Sequence, residues 1–259
     1  MPKNLASRKK QANPGSCGKS SEKLIAISYR HALAVPVRGG IRSLAMHEIR
    51  TGFGDILKRQ LELAERNYEF LADRGVRAIN VMGAIGSGKT ALIIQMAQRL
   101  QGKGIRVGAI AGDVAGDDDY RRFQAAGLPS TVINTGDDCH LDAHRVGHAL
   151  EEFPLSAVDV LFIENVGNLV CPADFPLGTD QDLVVISVTE GEDMVRKHPK
   201  MFAQTDVIAI NKVDLAEIVG VDPQRIVEDY RKVNPHGRAV LTDAKSGRGV
   251  EELLSALGF

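Results

Sequence analysis

Gly83-Ala84-Ile85-Gly86-Ser87-Gly88-Lys89-Thr90 follows the apolar run Ala78-Ile79-Asn80-Val81-Met82 and opens into Ala91-Leu92-Ile93-Ile94-Gln95-Met96. Glycines at 83, 86 and 88 let the backbone turn tightly enough for several N–H groups to converge on an anion, and the following helix aims its positive end at the same point. Lys89 adds a full charge near β- and γ-phosphates, and the Thr90 hydroxyl suits Mg²⁺. An ordinary glycine-rich turn between strand and helix is the plain alternative. The strand–loop–helix setting favours a phosphate cradle made of Gly83, Gly86, Ser87, Gly88, Lys89 and Thr90.

Outward from this loop the chain alternates. Short apolar strands are expected at Ala78–Met82, Val107–Ala111, Thr131–Asn134, Val158–Glu164, Leu183–Val188, Val207–Asn211 and Ala239–Thr242, with helical stretches between them. Near-continuous apolar strands separated by helices predict an α/β fold with a mostly parallel sheet covered on both faces. Ligands of such sheets sit at the carboxyl ends of the strands. Upstream, Met46, Ile49, Phe53, Ile56, Leu57, Leu61, Leu63, Ala64, Tyr68, Leu71 and Ala72 recur at roughly helical spacing and predict an N-terminal helical extension over 46–75, stopped by Gly75. Residues 1–45 are expected to be a flexible tail, because the first part is rich in Lys, Arg, Ser, Asn, Gly and Pro and lacks apolar periodicity. Met46 is itself a candidate initiation residue. Residues 76–259 then form the nucleotide-binding domain.

Composition narrows the class. With 259 residues, 44% of them hydrophobic, and a formal net charge of −1, the chain has enough apolar material for a sizeable core and no basic excess of the kind nucleic-acid binders carry. No apolar run approaches the ~20 residues of a membrane helix, and the polar, basic N-terminus has no apolar core of a signal peptide, so membrane insertion is not expected and the chain reads as cytoplasmic. The three cysteines, Cys17, Cys139 and Cys171, are too few and too scattered for a disulfide framework.

Asn211-Lys212-Val213-Asp214 follows the apolar strand Val207-Ile208-Ala209-Ile210. A carboxylate at Asp214 can accept two hydrogen bonds from N1–H and the exocyclic amine of guanine, which adenine cannot offer. The stretch resembles the guanine-recognition motif of P-loop GTPases, and Thr242-Asp243-Ala244-Lys245-Ser246 is similar to their second base-contacting loop through Ala244 and Lys245. Two acids close strands near the cradle. Asp113 and Glu164 are candidates to bind Mg²⁺ and to order the attacking water, and Gly167 in Glu164-Asn165-Val166-Gly167 is a candidate to sense the γ-phosphate. No glutamine or arginine finger stands out, so intrinsic hydrolysis is expected to be slow.

A second constellation combines soft and borderline ligands. Cys139-His140-Leu141-Asp142-Ala143-His144 precedes the strand ending at Glu164, and Cys171 follows Gly167. Thiolate plus imidazole suits Zn²⁺ or Ni²⁺, although a Cys-His dipeptide on its own is more often a structural feature. If the chain is helical from Leu141, His140, His144 and His148 fall on one face and form a further candidate metal site. Three ligands leave tetrahedral zinc one short, and a symmetry mate could supply the rest.

Taken together, Gly83–Thr90, Asn134-Thr135-Gly136, Cys139–Ala143, Glu164-Asn165-Val166-Gly167-Asn168-Leu169-Val170-Cys171-Pro172 and Asn211–Asp214 resemble the HypB-type GTPases of nickel–iron hydrogenase maturation. The resemblance spans about Met46 to Phe259, is closest to the short archaeal members and implies a P-loop NTPase fold. It also implies a GTP-hydrolysing metallochaperone that holds nickel or zinc on Cys139, His140 and Cys171 at the interface of a GTP-dependent homodimer. Nickel would pass to an accessory nickel-binding protein or the hydrogenase large-subunit precursor. The separate N-terminal cysteine motif or histidine-rich stretch of many members is absent, since Cys17 stands alone. The similar urease-accessory GTPases place a proline between cysteine and histidine, which Cys139-His140 lacks. A metal-storage module with a structural nucleotide and a small-molecule P-loop kinase are further alternatives, the latter opposed by Asp214.

Overall fold

The computed structural model describes residues 52–169 and 174–259, with side chains from residue 57 onward. The expected tail over 1–45, the first residues of the helical extension, Cys17 and Cys171 lie outside the described residues. Helix α1 (Gly52–Ala72) buries Ala64, Asn67 and Leu71, a stripe at helical spacing, and the chain turns at Gly75 with φ +66°. The stripe faces the sheet and the helix over Ala143–Glu152.

Seven parallel strands follow: β1 (Arg77–Met82), β2 (Val107–Asp113), β3 (Ser130–Asn134), β4 (Val160–Glu164), β5 (Gln181–Ser187), β6 (Val207–Asn211) and β7 (Arg238–Leu241). Their order is β3-β2-β4-β1-β5-β6-β7. Each expected strand is present, and the ends differ by a residue or two. The runs are apolar on both faces because both faces are covered. Along β1, Ile79 and Val81 pack into the core beneath α2 (Lys89–Gly102), α3 (Asp118–Ala125) and α9 (Val250–Ala256), which supply Leu92, Ile93, Met96, Phe123 and Leu253. The intervening Ala78 and Met82 face the opposite side. There α1 and α4 (Ala143–Glu152) cover one half. Helices α5 (Met194–Lys197), α6 (Pro199–Gln204) and α8 (Pro223–Val233) cover the other, with Phe202 and Tyr230 fully buried. A short α7 (Ala216–Val219) follows β6.

The chain moves from β1 to one edge through β2 and β3, returns to β4, and then crosses β1 to β5. The reversal leaves a crevice at the carboxyl ends of the central strands. Every segment singled out for chemistry leaves the sheet at that rim.

Candidate functional site

Gly83 leaves β1 so close to β5 that a Cβ would run into the Val185 carbonyl oxygen, and Gly88, with φ +101°, precedes α2 where a Cβ would strike the Asn211 amide. No other residue type fits either place. Lys89 is buried; its ammonium donates to the Gly83 and Ala84 carbonyl oxygens at 3.1 and 3.4 Å and lies 3.7 Å from Glu164 Oε1. Ser87 Oγ is buried with no hydrogen-bond partner among the described residues. A buried hydroxyl without a partner is costly, and a bound phosphate oxygen would relieve it.

Thr90 opens α2 between two carboxylates. Its hydroxyl lies 2.6 Å from Asp119 Oδ1 and 3.1 Å from Glu164 Oε1. One hydroxyl carries one proton, so Asp119 accepts it and the Glu164 contact is favourable when that carboxyl is itself protonated. Burial pushes the Glu164 pKa up to about 7; Lys89 opposes this, and Asp119 adds to it. Glu164 Oε2 is buried without a partner. Three converging hard oxygens with an orphaned carboxylate atom fit Mg²⁺. Asp119, in the first turn of α3, is a participant that sequence reasoning missed, because nothing in Asp117-Asp118-Asp119 singles it out. Asp113, the acid chosen from its place at a strand end, turns away: its Oδ1 accepts from Val114 N at 2.6 Å, and no hydrogen bond joins it to Thr90 or Glu164 among the described residues.

The base-reading segment is fastened to this loop. Asn211 is 1% exposed; its Nδ2 donates to the Ser87 carbonyl at 2.9 Å, while its Oδ1 accepts from Ala244 N at 3.0 Å and Thr242 Oγ1 at 3.3 Å. Lys212 is the one described non-glycine residue with positive φ (61°), and its Nζ donates to the Gly86 carbonyl at 2.6 Å. Asp214 is exposed in the turn that follows. Asp243 shapes the second loop by accepting from Lys245 N at 2.9 Å and Ser246 N at 3.3 Å, which leaves Lys245 exposed. A single asparagine therefore joins the phosphate loop and both base loops.

Past Glu164 the chain folds back over the phosphate loop. Asn168 bridges Gly83 in antiparallel fashion, and Gly167 packs so tightly on Ile85 that it has no room for a Cβ. The side chain of Asn165 reaches the other way: its Oδ1 accepts from Leu141 N at 2.9 Å and Val166 N at 3.0 Å. Cys139 and His140 immediately precede Leu141. Cys139 is exposed, with Sγ 3.9 Å from His140 Nδ1, and the His140 ring stacks on Phe175 with centroids 3.8 Å apart. That burial holds the His140 pKa below its ordinary value, although Asp138 and Asp142 oppose the shift. A neutral imidazole is the ligating form. The loop is clamped by Arg145, which pairs with Asp138 and Asp142 at 2.7 Å each.

The expected histidine face is only half formed. Asp142 caps α4 by accepting from Arg145 N at 2.9 Å, so the helix begins at Ala143 and His140 lies outside it. His144 and His148 do stand one turn apart with Nε2 atoms 3.3 Å from each other, and His148 Nδ1 lies 3.7 Å from Glu151. Among the described residues no group of three or more His, Cys, Asp or Glu side chains is disposed to hold a metal, and no helix is long and apolar enough to cross a membrane.

The profile described as "CobW/HypB/UreG, nucleotide-binding domain" matches residues 77–240. The probable hydrogenase maturation factor HypB of Methanocaldococcus jannaschii is 48% identical over 200 residues, covering 77% of this chain and 90% of that protein. Two solved structures superimpose with a TM-score of 0.72. The hydrogenase maturation factor HypB of Archaeoglobus fulgidus is 46% identical and is matched over 77% of this chain and 97% of that one. HypB from Helicobacter pylori in complex with nickel is 32% identical, over 77% and 93% respectively.

Proposed function

The chain belongs to the CobW/HypB/UreG nucleotide-binding family, and from that premise we propose that it is a GTP-hydrolysing nickel carrier of hydrogenase maturation. The relatives named hydrogenase maturation factors and the nickel complex of one of them support the pathway and the cargo. Asp214 reads guanine while the Gly83–Thr90 loop and Lys89 hold the phosphates. Thr90, Asp119 and Glu164 would hold Mg²⁺, which would supply charge neutralisation for the phosphates. Water attacks the γ-phosphorus, the bond to the β-phosphate oxygen breaks, and GDP and phosphate leave. Lys89 stabilises the charge that gathers on the bridging oxygen. No arginine or glutamine finger stands out, and slow hydrolysis is expected.

Nickel, or zinc in its stead, is cargo. Cys139, His140 and Cys171 bind it, with the remaining ligands supplied by a second copy when GTP draws two chains together, and His144 and His148 offer a further weak site. Hydrolysis loosens the pair and alters the ligand set, so that nickel passes in the cytoplasm to an accessory nickel-binding protein or to the hydrogenase large-subunit precursor. The observation that carries this reading is the thiol–imidazole pair at 3.9 Å on a loop hydrogen-bonded to the end of the strand that bears Glu164. Nickel affinity and particle mass are to be measured with GDP and with a non-hydrolysable GTP analogue. Tighter binding and a doubled mass in one nucleotide state are expected; identical values in both states refute the coupling.

A further inference from the structure

Asn165 is 1% exposed and belongs to the nucleotide rim by its backbone and to the cysteine–histidine loop by its side chain. Its N–H donates to the Val81 carbonyl of β1 at 2.9 Å, fixing it one residue beyond Glu164. Its Nδ2 donates to Asn80 Oδ1 at 3.2 Å, and Asn80 in turn donates to Asp182 Oδ1 at 2.8 Å, so the carboxamide cannot rotate without breaking a chain of buried bonds. With that orientation fixed, Oδ1 faces two amides at once: Val166, which leads into Gly167 against Ile85 of the phosphate loop, and Leu141, which follows His140. The Leu141 side chain is itself fully buried. Any shift of residues 164–167 against the phosphate loop therefore pulls on a backbone amide next to His140, through bonds too costly to leave unmade.

We propose that Asn165 is the positioning residue through which the occupancy of the nucleotide site sets the Cys139–His140 loop. The inference rests on the reading of that loop as a carrier site whose cargo answers to the nucleotide. The chain just beyond Leu141 is anchored independently: Asn67 of α1 donates to the Ala143 carbonyl at 2.7 Å and to the Leu177 carbonyl at 3.0 Å. Arg145 pairs with Asp138 before the cysteine and histidine and with Asp142 after them, so a displacement of the Leu141 amide by Asn165 acts on a loop whose flanks are held.

Two measurements test this. In the metal-free wild-type protein, hydrogen exchange of the Leu141 amide is followed by NMR with GDP and with a non-hydrolysable GTP analogue, and a change in rate of about fivefold or more is expected, the lower end of ordinary coupling between sites. Equal protection in the two states overturns the proposal and needs no variant. In Asn165→Ala, compared with the wild type at nucleotide concentrations that saturate each protein, the ratio of nickel affinities between the two nucleotide states is expected to fall to within about twofold of unity. A ratio equal to that of the wild type at saturating nucleotide also overturns it. If the wild type shows no nickel response while Leu141 does respond, the carrier reading fails and the mechanical link stands; an unresponsive Leu141 beside a nickel response is the converse.

Discussion

Asn211→Ala removes the one side chain that joins three loops, and its effect can be worked out from the bonds it makes. The substitution strands the Ser87 carbonyl and the Ala244 N–H in a region where Asn211 itself is 1% exposed. A buried polar group left without its partner costs about 1–3 kcal/mol, so the nucleotide-free protein should lose about 2–4 kcal/mol, a fall in melting temperature of roughly 10 °C for a domain of this size. Nucleotide binding then has to order loops that the native protein holds ready. Because Asn211 contacts loop backbone, GDP and GTP-analogue affinities should fall together, by about tenfold or more. Asn211→Asp supplies the decisive comparison: it keeps the acceptor for Ala244 N but sets a carboxylate oxygen against the Ser87 carbonyl, and should be at least as damaging as alanine. Urea denaturation without nucleotide and titration with a fluorescent GDP read both quantities. Asn211→Asp with wild-type stability and affinity would refute the argument.

Asp214→Asn should shift preference from guanine to xanthine nucleotides, because an amide matches the inverted donor–acceptor edge; unchanged GTP affinity in competition binding removes Asp214 from the base site. Asp119→Asn should raise the Mg²⁺ concentration needed for GTP hydrolysis by about tenfold or more, the worth of one charged partner, whereas Asp113→Asn should stay within about twofold; the reverse ranking would restore the acid at the strand end. Burial lifts the Asp182 pKa from 3.8 to about 6, against the hydrogen bond from Asn80 and with help from Asp206. The folded protein thus holds this proton more tightly than the unfolded chain, a stabilisation present below about pH 4 and lost as pH rises through about 6, amounting to roughly 2–3 kcal/mol. Asp182→Asn should flatten the fall of stability between pH 4 and 7 by that amount in denaturant titrations, leaving the parallel contribution of Glu164; an unaltered slope refutes it.

The seven strands were legible because a sheet covered on both faces demands unbroken apolar runs, and Val160-Leu161-Phe162-Ile163 can hardly be anything else. The phosphate and base motifs were legible because each needs fixed residue types at fixed spacing. Asp119 was not, since its role depends on α3 bringing one of three consecutive aspartates to Thr90, a distance no local pattern encodes. Asp113 was chosen for standing at a strand end, but its carboxylate spends itself on the next amide. The shared face of His140, His144 and His148 required a helix from Leu141, whereas Asp142 accepts from Arg145 N and starts it at Ala143. Asn67 and Arg145 carried no signal, and Asn165 stood out only as a member of the Glu164–Gly167 stretch. Ordinary polar residues acquire meaning only from the partners that the fold delivers.

The strand order carries a consequence for how the protein is made. Strand β1 leaves the ribosome first among the strands, yet its neighbours are β4 and β5, which come after α2, β2, α3, β3 and α4. Parallel pairing over such separations is slow. The nascent chain therefore presents Gly83–Thr90 long before the residues that complete its surroundings, Glu164 on β4 and Asn211 on β6, have been synthesised. Until β4 and β5 have been made, the apolar run Ala78–Met82 is unpaired and adhesive. Folding of the protein is a race between elongation to β5 and the mispairing of its own central strand.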